Sequence, residues 1–136
     1  MSLSVKSKYG ISAVFELALH INEGPIQIRH LAASRNIPQR FLEQILVDLK
    51  QHNIVKSTRG ARGGYVLAKH PRDITVLDVL HSLDTTYTLG EGYCGCDTLS
   101  SFWCEVDDAL VQKFSTNFET LVDRKKRADQ ILTFNI

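Results

Sequence analysis

The fold is decided by residues 37–67, IPQRFLEQILVDLKQHNIVKSTRGARGGYVL. This stretch places a helix, a basic turn and an extended run next to one another. On a helical wheel of roughly 100° per residue, its first half has one apolar side and one mainly polar side. Pro38 suits the first helical position, since its missing N–H would have no partner there. The apolar side consists of Leu42, Ile45, Leu46 and Leu49, with Phe41 at its margin, and the outer side of Arg40, Glu43, Gln44 and Val47.

The second half of this stretch predicts a β-hairpin. Two short extended runs, IVKS and YVL, are joined by a turn rich in glycine and arginine. Arg59 and Arg62 place cations at the tip, where a phosphate backbone or a minor groove is the natural target. The glycines of the turn can adopt positive φ and let a backbone approach another surface closely; they are Gly60, Gly63 and Gly64.

The preceding residues, IQIRHLAASRN at 26–36, have Ile28, Leu31 and Ala32 at helical spacing and a helix stop at the end. Two helices joined by a tight turn and followed by a hairpin predict a winged helix-turn-helix. Taken alone, the amphipathic helix is better interpreted as a solvated charged helix, and the hairpin as an ordinary one. Their order in the chain, however, favours a DNA-binding protein. The candidate DNA-binding residues are Gln39, Arg40, Glu43, Gln44, Arg59 and Arg62.

Composition and charge limit the class of protein. The chain has 136 residues, of which 43% are hydrophobic and 23% charged, as expected for one globular domain with an added assembly element. Residues 1–72 hold eleven Lys/Arg and four Asp/Glu, whereas residues 73–136 hold five and eleven, so the halves carry +7 and −6. The basic half suggests a polyanionic partner. No apolar run suits a membrane span or a secretion signal, so we expect a cytoplasmic protein without membrane contact.

The flanking segments are predicted to be helical, which makes the protein mainly α with a small β-hairpin wing. A first helix from residue 7, with Ser7 as its N-cap, is apolar almost all round. Thr75 and Asp78 resemble a capping box before a helix over residues 76–83. From Glu105 onward a long helix bears an apolar stripe, which we interpret as a dimerisation surface, with a core helix of the monomer as the alternative. The stripe consists of Leu110, Phe114, Phe118, Leu121 and Val122.

Three cysteines, Cys94, Cys96 and Cys104, lie in or beside a predicted loop over residues 84–103. Their clustering points to a metal or redox site, because three cysteines cannot form a complete disulfide framework and cytosolic thiols stay reduced. Thiolates favour iron-sulfur clusters, zinc or copper, and this spacing does not distinguish among them. A catalytic interpretation lacks a specified base and orienting group, so we do not expect an enzyme.

The sequence resembles the IscR-like family of winged helix-turn-helix transcription regulators, which includes NsrR, CymR and RirA types. The matching segments are SKYG at 7–10, ALH at 18–20, GPI at 24–26, IP with FLEQIL ending at residue 46, and RGARGGYVL at 59–67. They cover residues 1–84 strongly. The resemblance implies a homodimer on a double-stranded DNA operator and a base-selective role for Glu43. It also implies three parts: a DNA-binding domain at 1–84, a cysteine-bearing sensor loop at 85–104, and a dimerisation helix with tail at 105–136.

The resemblance also implies a cofactor, since cluster-binding members carry three cysteines in this loop. We expect an iron-sulfur cluster of the 2Fe-2S type, held by the cysteines and by Asp107 as the local fourth ligand. The first two cysteines are closer together here than is usual in the family. Position 8, a carboxylate in some relatives, is Lys8, which cannot ligate iron while protonated. A metal-free thiol switch, a small-molecule-responsive regulator, a zinc protein and a protein-binding winged module therefore remain alternatives.

Overall fold

The computed structural model describes residues 3–83 and 97–134. None of the helices in these two ranges is long and apolar enough to cross a membrane. The elements, in chain order, are α1 (Val5–Leu19), α2 (Ile28–Arg35), α3 (Gln39–Gln51), β1 (Val55–Thr58), β2 (Gly64–Leu67), a 3-10 turn (Pro71–Asp73), α4 (Val76–Ser82), α5 (Asp97–Phe114) and α6 (Phe118–Phe134).

The predicted helix-turn-helix is present as α2 and α3. α2 ends at Asn36, whose left-handed backbone (φ 52°) reverses the chain. The amide of Ile37 then donates to the carbonyl of Ala32 at 2.9 Å, which satisfies one of the last carbonyls of α2. Pro38 is the N-cap of α3, so the helix begins at Gln39, one residue later than the sequence predicted. The turn is short because asparagine tolerates the left-handed conformation and Pro38 cannot extend α2.

The core is formed where α1, α3 and the C-terminal helices meet. The four residues predicted for the apolar side of α3, Leu42, Ile45, Leu46 and Leu49, are all fully buried. Although the sequence of α1 is apolar almost all round, its buried residues lie along one side of the helix, and the other sides are mostly only partly buried. Phe118 of α6 is also fully buried. Burial of each such side chain contributes roughly 1.5–3 kcal/mol. The core therefore holds α3 in a fixed orientation with its polar side outward.

The wing is the predicted hairpin, extended by one further pairing. β1 and β2 are antiparallel, with Val55 opposite Leu67 and Thr58 opposite Gly64. Ile26, just before α2, pairs with Tyr65 through two backbone hydrogen bonds of 3.0 and 2.8 Å. The wing is thus joined directly to the start of the helix-turn-helix.

Gly64 lies where the wing meets Ile26. Its φ is 153°, and a Cβ there would collide with the backbone of Ile26 and Gln27. Gly60, at the turn, has φ 110° but open space around it. Gly63 does not have positive φ, contrary to prediction; a Cβ there would instead collide with the backbone of the turn.

We expect Gly64→Ala to lower the free energy of unfolding by about 3 kcal/mol, because both backbone strain and collision oppose it. Gly60→Ala is the matched control, and strain alone should cost about 1 kcal/mol. Urea denaturation of both variants measures the difference. Equal losses at the two positions would show that the contact between the wing and Ile26 is not tightly packed.

The capping box before α4 is confirmed. The hydroxyl of Thr75 accepts from the amide of Asp78 at 3.1 Å, and the carboxylate of Asp78 accepts from the amide of Thr75 at 2.9 Å. The N-terminal boundary of α1 was predicted wrongly. Ser4, not Ser7, caps this helix by accepting from the amide of Ser7 at 3.1 Å, while Ser7 itself is buried.

The single long helix predicted from Glu105 is instead two helices. α5 already begins at Asp97, so residues 97–103, predicted as loop, are helical, as is Cys104. α5 stops at residues 115–117, where the side chain of Asn117 accepts from the amide of Thr120 at 2.8 Å and so caps α6. The amide of Phe118 also donates to the carbonyl of Ile74 at 3.0 Å. The break is therefore stabilised by a cap and by bonds to the segment before α4.

This break divides the predicted dimerisation stripe. Phe118 and Val122, on α6, are buried in the core of the monomer, so the alternative interpretation is correct for them. α5, in contrast, has no buried residue. Leu99 and Phe102 are each 50% exposed along it. Ile131 and Leu132, near the end of α6, are also exposed. The exposed apolar side chains of the C-terminal helices therefore lie on α5 and near the end of α6.

Candidate nucleic-acid interface

The outward side of α3 carries all four residues predicted to face DNA. Gln39, Arg40, Glu43 and Gln44 are exposed, whereas Leu42, on the opposite side of the helix, is buried in the core. No ion pair joins Glu43 to another residue in the described ranges. A carboxylate held outward on a helix, with its oxygens available, is suited to accept a hydrogen bond from cytosine N4.

Two apolar side chains share this outward side. Phe41 is 53% exposed and Val47 47% exposed. The ring of Phe41 lies 6.2 Å from that of Tyr9 on α1, which supports it from behind. Apolar groups on a groove-facing helix can contact the methyl group of thymine. The sequence placed Val47 on this face but assigned it no role, since apolar residues are not a signal for DNA binding by themselves.

The tip of the wing exposes the two predicted arginines, Arg59 and Arg62. A cleft of about 520 Å³ separates the wing from the start of α2, and its walls include Arg29, His30 and Arg62. The wing is tied to α3 by Lys50, whose Nζ donates to the hydroxyl of Ser57 on β1 at 2.7 Å. Arg29 and Lys50 were missed because isolated cations outside a motif carry no positional signal in the sequence.

A charged network behind this surface connects α1 to α2. Glu16 accepts from Nε of Arg35 at 2.7 Å and also contacts His20 at 3.1 Å. The other ring nitrogen of His20 lies 2.8 Å from Glu23. Burial lowers the pKa of His20, but the hydrogen bonds with Glu23 and Glu16 outweigh it, so this pKa lies above its usual value. The network fixes the end of α2 against α1, which helps to hold the helix-turn-helix in place.

The predicted metal ligands are only partly visible. Cys94 and Cys96 lie outside the described residues. Cys104 is exposed on α5, and Asp107 follows it by one helical turn. Lys8 is exposed on α1. Within residues 3–83 and 97–134, no three His, Cys, Asp or Glu side chains are placed to hold a metal. The ligand set therefore stays a prediction.

The basic run at residues 124–127 is exposed on α6. Lys125 pairs with Asp129 on the same helix at 3.2 Å. Side chains beyond Val122 in the described part of α6 are exposed. These cations serve as a control for the wing arginines, because they are also exposed and lie on a different element.

Comparisons with known proteins agree with the winged helix-turn-helix. The regulator CymR of Bacillus subtilis (strain 168) is 39% identical over 84 residues, which are 62% of this chain and 61% of that protein. A solved structure of B. subtilis CymR, titled the global cysteine regulator, superposes with a TM-score of 0.84 at 32% identity, covering 91% of this chain and 98% of that one. T. potens IscR superposes with a TM-score of 0.81 at 30% identity, covering 94% and 90%.

The relatives are named as transcriptional regulators and not as enzymes, and the resemblance to IscR-like proteins is confirmed. The model of the Rrf2 family, described as an iron-dependent transcriptional regulator, matches residues 3–125. That range includes the helix-turn-helix, the wing, the cysteines and α5. The chain therefore belongs to the Rrf2 family of transcriptional regulators.

Proposed function

We propose that this protein is a homodimeric regulator that binds double-stranded operator DNA through α3 and the wing, and that its cysteines make binding responsive to an iron-sulfur cluster, nitric oxide or redox state. The observation that carries the DNA-binding part is the exposed polar side of α3 beside two exposed arginines on the wing. A groove-reading helix and a phosphate-contacting hairpin are complementary, because one reads bases and the other positions the protein.

Dimerisation is the second part of the proposal. α5 is an 18-residue helix without a buried residue, and its half-exposed Leu99 and Phe102, three residues apart on one side, would be covered by a second subunit. Operator readers of this type pair two modules so that two half-sites, roughly 34–36 Å apart, are contacted together. Two copies of α3 would then occupy successive turns of the major groove.

The expected test of base reading is the variant Glu43→Ala. A carboxylate close to phosphates is otherwise repulsive, so its removal should relax sequence choice more than it weakens binding. We expect discrimination at one base pair of each half-site to fall by roughly 1–3 kcal/mol. Binding of the variant to a panel of duplexes, each with one base pair changed, measures this loss.

Asp73→Ala removes another exposed carboxylate, from the 3-10 turn, and serves as the control, which should keep wild-type base preferences. Uniform weakening of Glu43→Ala across the whole panel, with its preferences intact, would mean that Glu43 reads no base.

The sensing part rests on Cys94, Cys96 and Cys104 with Asp107. On α5, Cys104 and Asp107 are three residues apart, a spacing that places side chains on the same side of a helix. Thiolates suit iron-sulfur chemistry, so a thiol and a carboxylate at this spacing are donors that fit such a cluster. When bound, the cluster would supply a centre that reacts with oxidants and nitric oxide. The iron dependence in the description of the family model supports this assignment.

A metal-free thiol switch is the second candidate, and one observation favours it. Cys104 is exposed rather than enclosed by other ligands in the described residues. A solved structure of Staphylococcus aureus CymR, 27% identical to this chain, is titled as an oxidized form. Anaerobic purification followed by absorption spectroscopy and iron and sulfide analysis separates the two candidates. Stoichiometric iron and sulfide supports the cluster, and their absence together with oxidant-dependent DNA binding supports the switch.

A further inference from the structure

Three side chains form a continuous link from α1 to the outward side of α3. Nζ of Lys6, in the first turn of α1, lies 2.7 Å from Oδ2 of Asp48. The other oxygen of this carboxylate, Oδ1, accepts from Nε2 of Gln44 at 3.3 Å. Each oxygen of Asp48 therefore has its own partner, and one of the two partners is a candidate base-reading residue.

The position of Asp48 is well defined by the helices around it. Gln44 and Asp48 are four residues apart on α3, so their side chains are neighbours on one face. The side chain of Asp48 is only 20% exposed, and that of Lys6 39%. Partial burial reduces screening by solvent and salt, so this pair is better defined than a fully exposed one. Lys6 belongs to the helix packed behind α3, and it can hold the carboxylate from the core side.

The carboxylate determines which way the amide of Gln44 faces. With the nitrogen toward Asp48 the contact is a hydrogen bond, whereas a flipped amide would place two oxygen acceptors against each other. One N–H of Gln44 is then occupied, and its carbonyl oxygen and second N–H remain available. On the major-groove edge of adenine, the carbonyl oxygen can accept from N6 and the N–H can donate to N7.

We infer that Asp48 is a positioning residue that sets the amide of Gln44 for adenine, and that Lys6 anchors Asp48. The inference rests on the proposed function, because it requires α3 to lie in the major groove. It assigns a role in specificity to a carboxylate and a lysine that do not themselves need to touch a base. A simple structural ion pair at this exposure would contribute little to stability and would leave base preference unchanged.

The test begins with the wild-type full chain and a random duplex library, from which bound sequences are selected. Single-base-pair variants of the selected duplex are then titrated with wild type, Gln44→Ala, Asp48→Ala and the double variant. We expect Gln44→Ala and Asp48→Ala each to lose about tenfold discrimination for adenine at the same base pair. The double variant should lose no more there than Gln44→Ala alone, because Asp48 acts through Gln44.

Two further variants test the anchor and the effect of charge. Lys6→Met should give a smaller loss at the same base pair, since Asp48 keeps its hydrogen bond to Gln44 but loses its partner on α1. Asp129→Ala, which breaks a more exposed lysine–aspartate ion pair with Lys125 on α6, should leave all base preferences unchanged. Thermal unfolding of each variant confirms that it is folded.

The outcomes separate the inference from the proposed function. If wild type selects no sequence, the proposed function fails. If wild type and Gln44→Ala differ at one base pair but Asp48→Ala changes only overall affinity, the inference is overturned and the proposed function stands. If Gln44→Ala changes no base preference, the inference is likewise overturned. A uniform, salt-dependent loss for Lys6→Met would make Lys6 a phosphate contact and not an anchor.

Discussion

Replacing Arg59 and Arg62 together with alanine is expected to weaken operator binding on the order of 50-fold at 0.1 M salt and to lower the salt slope by up to about 2. Both arginines are exposed at the tip of the wing, and Arg62 also lines the cleft beside α2. Each cation that neutralises a phosphate releases a counterion, which contributes about 0.9 to the slope of log K against log salt. Fluorescence anisotropy over a series of salt concentrations measures both quantities.

The matched control removes two cations from α6, as Arg124→Ala with Lys126→Ala. These side chains are exposed, like the wing arginines, but we assign them no contact with DNA. The control therefore carries the same change in net charge and should keep nearly the wild-type slope. An unchanged slope in the wing variant, or equal changes in both variants, would remove the wing from the interface.

The second large effect concerns the cysteines. We expect Cys94→Ala, Cys96→Ala and Cys104→Ala each to abolish retention of the metal while the dimer persists. Each variant should also change affinity for at least one class of operator. The cysteines precede or lie on α5, which is proposed to form the dimer interface and so to set the distance between the two copies of α3. A rearrangement at the cysteines would therefore disturb both DNA contacts together. Iron and sulfide analysis, sedimentation and DNA titration measure the three properties.

Ser101→Ala is the control for these variants, because Ser101 lies one turn before Cys104 on α5 and is exposed. It should retain metal and wild-type affinity. If all three cysteine variants bind every operator like the metal-loaded wild type, the cysteines do not regulate binding. The protein would then be a regulator controlled by some other signal.

The winged helix-turn-helix could be predicted because its signals are local. The periodicity of Leu42, Ile45, Leu46 and Leu49 defines the buried side of α3, and the turn at Asn36 and Pro38 separates it from α2. The glycines and arginines at 59–64 define the wing. The structure places the candidate DNA-binding residues on exposed surfaces, and their individual contacts remain predictions.

The C-terminal half was predicted less well because its decisive interactions are not local. The break between α5 and α6 depends on backbone bonds from Val76 to Thr116 and from Phe118 to Ile74, which join segments about forty residues apart. Asn117 after Ser115 and Thr116 is a local helix-cap signal that could have indicated the break. The link from Lys6 through Asp48 to Gln44 was also missed, since it joins two helices that only tertiary packing brings together.

The most direct test of DNA binding by α3 and the wing is selection of duplexes from a random library by the wild-type chain, followed by a salt titration of the selected sequence. The proposed function predicts an enriched motif with two half-sites roughly 34–36 Å apart and a steep decrease of affinity with salt. Absence of any enriched sequence, together with binding that does not depend on salt, would contradict it.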